Sequence, residues 1–185
     1  SLHDALPILV LASFKPGNFL LQYGLNLNLD IPHLTLDNYK LLFTGKHDYW
    51  TWFGNSLILT VITVILTLAI SAFVAYGFAA YDFKGKNFFF IIVLLILSVP
   101  FEVIMLPLYK QISSWGMMDS YVSVVLPFLA HASTIFFFRQ YLLGLPKSLI
   151  EAGRIDGATE YGIFFKLIVP IMKPAFSAMA ILNGM

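Results

Sequence analysis

From Phe53 to Ala80 the chain contains no Asp, Glu, Lys or Arg. A bilayer-crossing helix needs about 20 predominantly apolar residues. This stretch is long enough to span, and too long for a sheet strand. Two further apolar runs extend from about Phe88 to Leu108 and from about Tyr121 to Leu143. Their continuity is not the strict alternation that a transmembrane barrel requires. Helices remain, because backbone groups in lipid must pair within their own segment. The expected fold class is therefore all-α, a polytopic membrane helical bundle. Composition points the same way. Of 185 residues, 59% are hydrophobic and 11% charged, and the mean hydropathy is +0.82. Soluble domains carry about 25% charged residues, so a soluble globular enzyme and a disordered tail are both excluded. The formal net charge of +1 gives no bulk attraction to nucleic acid. The absence of cysteine removes disulfides, thiolate metal sites and cysteine nucleophiles.

Both ends read as cut. The apolar stretch 8–14 is too short to cross a bilayer and looks like the last turns of a first helix. The run 175–185 begins another span. The opening Ser1 to Pro7 carries no structural signal and reads as an assembly scar. Between these lie the three full spans, 53–80, 88–108 and 121–143, with a long polar segment at 17–52 and a loop at 144–174. Orientation follows from basic residues beside the span ends. Lys84 and Lys86 follow the first span. Lys147, Arg154 and Lys166, flanked by Arg139 and Lys173, follow the third. On the opposite side Lys110 stands in one loop, while Lys15, Lys40 and Lys46 are spread over a longer segment. The loop 144–174 is expected in the cytoplasm. The segment 17–52, with Pro32 and its Asn, Asp and Gly turn signals, is expected outside.

Polar residues inside the spans carry two readings each. Ser56, Thr60, Thr63, Thr67 and Ser71 recur at steps of four, three, four and four, on one helical face. They serve close helix packing or line a pore. Glu102 stands between Pro100 and Pro107, about 24 Å along a helix from Lys86. It is either part of a translocation path or outer gate, or an interfacial carboxylate near a helix break at Pro100. His131 is a helix-contact histidine or a ligand. Phe88 to Phe90 and Phe136 to Phe138 read as packing or lipid-facing bulk.

The loop is more specific. Pro146 ends the preceding helix, and Ser148 with Glu151 forms an S-x-x-E capping box that predicts a new helix start. Gly157 fits a left-handed helix end. Thr159 is placed to cap a following helix, with Glu160 in its first turn. The next helix is expected to run through Phe164 and Phe165 towards Pro170. The result is a two-turn helix with small residues at Ala152, Gly153, Gly157 and Ala158 and charges at Glu151, Arg154 and Asp156. It suits either insertion into a groove of another protein or a resting place on the membrane surface.

Glu151-Ala152-Gly153, three residues, Gly157, nine residues, then Leu167-Ile168-Val169-Pro170 resembles the EAA loop of importer-type ABC permeases, whose pattern is E-A-A-x3-G-x9-I-x-L-P. Gly153, Leu167 and Val169 depart from it, and Gly for Ala costs a helix up to about 1 kcal/mol. The string Glu151-Ala-Gly-Arg-Ile-Asp-Gly-Ala158 resembles the version in sugar-uptake permeases of the maltose (MalG) type. Further matches are Ser13-Phe14-Lys15-Pro16, Asn55-Ser56, Ala75-Tyr76-Gly77-Phe78 with Phe83-Lys84-Gly85-Lys86, Pro107-Leu108-Tyr109 and Arg139-Gln140-Tyr141. The resemblance covers roughly residues 9–185. It implies a six-helix permease subunit, partly present here. Glu151, Ala152, Gly153, Arg154, Asp156, Gly157, Ala158 and Pro170 would form the ATPase-coupling loop. The implied partners are an ATP-binding cassette ATPase dimer, a second permease subunit, an extracytoplasmic solute-binding protein and membrane lipid. ATP and magnesium would sit on the partner ATPase, and this chain would bind no cofactor itself.

The residues agree that hydrolysis lies elsewhere. No G-x4-G-K-[ST] loop, H-E-x-x-H or G-x-S-x-G site occurs, and no metal site is visible. The competing class is an ion- or proton-coupled secondary transporter using Glu102 and His131, which leaves the EAA-like loop without explanation. An intramembrane enzyme lacks a recognisable nucleophile or metal set.

Overall fold

The computed structural model describes residues 2–17, 19, 34–44 and 48–185. Among the described residues every regular element is helical. The chain divides into two compact units, Ser1–Ser56 and Leu57–Met185.

In the first unit α1 (Leu2–Ser13) is helical from its second residue, with Pro7 inside it. Helix α2 (Asp37–Thr44) supplies the groups that finish α1. Asn38 Nδ2 donates to the carbonyls of Ser13 at 2.9 Å and Lys15 at 2.8 Å. The Ser13 and Tyr39 hydroxyls lie 2.7 Å apart. Carbonyls that no intrahelical N–H can reach are satisfied by side chains instead. The turn signals around Pro32 lie outside the described residues. Phe43 packs its ring against Tyr49 and Trp50, and Tyr49 stacks on Phe53. With exposed Trp50 and Trp52 these rings form an aromatic girdle of the kind found at bilayer interfaces.

Helix α3 (Tyr49–Ala80) begins four residues before the expected Phe53. Among the described residues it is the one helix long and apolar enough to cross a membrane alone. The expected span 88–108 contains a break. It is two helices, α4 (Lys86–Leu97) and α5 (Phe101–Ser114), bent by 100°. The cause is Pro100, which lacks an N–H and pushes Val99 out of the helical region. It adopts φ −60°, ψ 137° as the N-cap of α5. The expected span 121–143 is also broken. Helix α6 (Tyr121–Val125) continues as a 3-10 turn through Phe128. After a 41° bend α7 (Ala132–Leu143) follows. At this break Thr67 Oγ1 donates to the Phe128 carbonyl at 2.7 Å.

Below α7 lie α8 (Ser148–Ile155), α9 (Glu160–Ile171) and α10 (Lys173–Gly184). The core of the second unit joins four helices. Leu68, Ala72, Ala75 and Tyr76 of α3 meet Phe138 and Leu142 of α7, Ile163, Phe164 and Ile168 of α9, and Ala175 and Met179 of α10, with Met172 at the last bend. Small residues on α3 let α9 approach closely. Thr67 and Ser71 of the hydroxyl face are buried there, Thr63 is half-buried, and Ser56 and Thr60 are exposed. The deep half of that face therefore packs. Thr60, Thr63 and Thr67 line a crevice shared with His131 and Asn183. Phe90 and Phe138 are packing residues, while Phe88, Phe89 and Phe137 face outward. The Arg139 guanidinium lies 3.8 Å above the Phe90 ring, a cation–π contact that ties α7 to α4.

Candidate functional site

The loop 144–174 begins with a turn from Pro146. Leu149 N–H donates to the Pro146 carbonyl, and Ile150 and Glu151 N–H to that of Lys147. Lys147 occupies the cap position in helical geometry, and no side chain closes it. The expected Ser148–Glu151 capping box is therefore not formed. Ser148 is already the first helical residue, and a box needs it one step earlier in extended geometry.

The far end of α8 behaves as expected. Gly157 has φ +74°. Ala158 N–H donates to the Gly153 carbonyl at 3.0 Å and Gly157 N–H to that of Arg154 at 3.1 Å. This pair of bonds is a Schellman motif, and its pivot residue must be left-handed. Thr159 then caps α9 in extended geometry, its hydroxyl accepting from Gly162 N–H at 3.1 Å. Glu160 is the first residue of α9. A π-turn from Phe164 to Ile168 widens the middle of α9 and keeps Phe164, Ile168 and Met172 on the buried face. Pro170 sits just past this wide turn, exposed, and Pro174 opens α10 after a 74° bend. The Tyr141 hydroxyl donates to the Ile171 carbonyl at that bend, at 3.2 Å.

The departure at Gly153 has a local cause. A methyl group there would lie 3.0 Å from Ile163 Cγ1 and 3.3 Å from its Cδ1. Ile163 is buried, so α8 rests its backbone directly on α9. Gly153→Val would drive a branched side chain into this contact. The expected result is loss of the α8–α9 contact with the spans intact, at about 1–3 kcal/mol for overpacking. Faster proteolytic cutting in the loop of the folded permease, with an unchanged melting temperature of the spans, would be the readout.

The charges of α8 divide into two groups. The side chains of Glu151 and of the cap residue Asp156 are exposed and make no hydrogen bond or ion pair among the described residues. Arg154 is engaged internally. Its Nε donates to Glu160 Oε1 at 2.6 Å, while the Tyr81 hydroxyl donates to Glu160 Oε2 at 2.6 Å and that of Tyr76 at 3.4 Å. The Arg154 hydrogen bond, followed by that of Tyr81, holds the Glu160 carboxyl below its ordinary 4.5. Because the folded value is the lower one, this contribution is present above the ordinary value and fades only as pH falls through the depressed one. At neutral pH the carboxylate is charged and accepting. Burial, then the bond to Glu160, raises the Tyr81 phenol, so it remains a donor. Glu151 and Arg154 line a cavity of about 190 Å³ beneath the end of α3. Ala152, Gly153, Asp156 and Ala158 share an open groove with Ile163 and Lys166.

Glu102 and His131 are not brought together into a polar pair. Glu102 stands in the exposed first turn of α5, where it suits the positive helix end. His131 is the exposed cap residue of α7, its Nδ1 2.7 Å from Ser133 Oγ. Among the described residues no group of three His, Cys, Asp or Glu side chains could hold a metal ion. Sequence reasoning gave no role to Tyr76 or Tyr81. The only signal was the place of Tyr76 in the Ala75-Tyr76-Gly77-Phe78 string.

Residues 70–185, which contain most of the core, the loop and the Glu160 cluster, match the model of a family described as the binding-protein-dependent transport system inner membrane component. The chain belongs to this family. It is an integral membrane protein and a transport component. The arabinooligosaccharides transport system permease protein AraQ of Halalkalibacterium halodurans is 51% identical over 177 residues, 96% of this chain and 63% of the relative. AraQ of Bacillus subtilis is 50% identical over the same shares. The lactose transport system permease protein LacG of Rhizobium radiobacter is 33% identical over 74% of this chain and 50% of its own length. The chain thus spans less than two thirds of the relatives it matches. A bacterial ABC transporter involved in the import of the acidic polysaccharide alginate shares the fold, with a TM-score of 0.74. It is 23% identical, covering 96% of this chain and 61% of that one. Family membership does not favour an ion-coupled transporter built on Glu102 and His131.

Proposed function

We propose that this chain is part of the membrane-spanning permease subunit of an ATP-driven ABC importer for a sugar or oligosaccharide. Loop 144–174 faces the cytoplasm, where the basic residues concentrate. Helix α8 docks in a groove of a partner ATPase. Glu151, Ala152 and Asp156 meet that partner, and Gly157 sets the angle at which α8 is presented. ATP and magnesium are held by the ATPase, and this chain performs no bond chemistry. A second permease subunit completes the path, and an extracytoplasmic binding protein delivers the solute. The sugar class rests on similarity to the arabinooligosaccharide and lactose permeases. Glu102, on the exposed start of α5, lies beside the path or its outer gate.

One observation carries the reading. Helix α8 has no fully buried residue, yet it is held in a defined pose by a Schellman turn, and the carboxylates of Glu151 and of the cap residue Asp156 have no partner among the described residues. A helix this short is marginal alone, so a fixed and unpartnered one fits a docking knob. Reconstitution of the full-length complex tests it. The expected result is arabinooligosaccharide uptake that requires ATP and the binding protein. Uptake that persists without the ATPase and collapses with the proton gradient would contradict it.

A further inference from the structure

The polar cluster at Glu160 ties the loop residue Arg154 to residues outside the motif and joins three elements that a coupling device must connect. Arg154 belongs to the last turn of α8. Glu160 is the first residue of α9. Tyr76 sits in the last turns of α3, and Tyr81 directly follows it. Their donors converge on one carboxylate. The Tyr76 and Tyr81 rings meet edge to face at 5.9 Å, and the Arg154 guanidinium stands 5.7 Å from the Tyr81 ring.

The two joints of this assembly differ in kind. Helix α9 is fastened to α3 by apolar contact. Phe164 stacks on Phe73 at 4.4 Å and packs on Tyr76 at 5.1 Å, and Ile163 and Ile168 are buried beside them. Helix α8 has far less. Ile150 reaches only the margin of the core, and the Gly153 backbone rests on Ile163. The covalent link to α9 is a turn pivoting on a left-handed glycine. A displacement applied to α8 would be absorbed by that pivot unless a second attachment bypassed it.

We propose that Glu160 is this second attachment, a positioning residue that locks α8 to the loop-side end of α3 so that movement of α8 reaches the spanning helix as a rigid-body movement. The inference rests on the proposed docking of α8 to an ATPase. It adds that force enters α3 through the Arg154–Glu160–Tyr81 bridge. The carboxylate is needed for its two oxygens, one for the guanidinium and one for the phenols. Glutamine at 160 keeps one acceptor and loses the charge, so it retains part of the function, whereas alanine retains none.

The test uses the full-length complex in proteoliposomes, with uptake and ATP hydrolysis measured together. Hydrogen bonds to charged groups are of a size that corresponds to about tenfold or more in an equilibrium. Glu160→Ala is therefore expected to lower the solute taken up per ATP hydrolysed by about tenfold while the ATPase still co-purifies, with Glu160→Gln and Tyr81→Phe intermediate. Spin labels at Ile155→Cys and Lys84→Cys read the attachment directly. Their distance distribution should be narrow with native Glu160 and broad in Glu160→Ala. An unchanged uptake-to-hydrolysis ratio and an unchanged distribution in Glu160→Ala would overturn the inference. If Glu160→Ala does not assemble, Tyr81→Phe, which keeps the charge pair, decides, and a native ratio there would overturn it. Absence of ATP-dependent uptake in the native complex would instead sink the parent reading.

Discussion

Glu151→Lys is expected to abolish uptake while leaving the permease folded. Glu151 is exposed and has no partner among the described residues, so its loss breaks nothing internal. Surface substitutions of this kind stay within about 0.5 kcal/mol. A lysine in the first turn of α8 adds a helix-end penalty of about 0.3–1 kcal/mol. Across a docked interface the balance is different. A carboxylate matched to a cation on the partner becomes a like-charge contact, which costs about 2–5 kcal/mol, or roughly thirtyfold to several-thousandfold in affinity. The interface term exceeds the folding term by a wide margin. The expected outcome is a normal melting temperature, loss of ATPase co-purification and loss of uptake. Native co-purification in Glu151→Lys would remove Glu151 from the interface.

Gly157→Asp fails by another route. At φ +74° a side chain incurs a steric cost of about 1–2 kcal/mol, and aspartate, which tolerates this region better than most, pays the lower end. Its negative charge also sits at the negative end of α8. Both Schellman bonds depend on this residue's conformation, so the change frees α8 from its pose without touching the core. Coupling is expected to fall by about tenfold or more, since each 1.4 kcal/mol is tenfold. Gly157→Asn, better suited to the left-handed region, should retain more activity. Equal loss in both variants would indicate that the side chain itself, not its charge, is what this position rejects.

The pattern of success and failure in reading the sequence has physical causes. Gly157 and Thr159 were legible because each satisfies a local requirement, a left-handed residue and an extended cap, within a few residues of chain. Ser148 misled for the same reason. The local string fits a box, but Pro146 begins the turn early and Ser148 arrives already helical. Hydropathy located the spans 88–108 and 121–143 without their bends, because it averages over a window and carries no bend angle. Pro100 marked a possible break, but nothing fixed its size at 100°. The Glu160 cluster was illegible for a different reason. Its members at 76, 81, 154 and 160 meet only after α9 has packed on α3, and no periodicity links them.

Accessibility of Ala152 tests the central claim most directly. The chain contains no cysteine, so Ala152→Cys in the otherwise native full-length permease introduces a single thiol into this segment. With a membrane-impermeant thiol reagent, labelling is expected in inverted vesicles stripped of the ATPase and not in intact cells. Protection should return when the ATPase is restored. Labelling from outside the cell, or labelling that the restored ATPase does not reduce, would contradict the account.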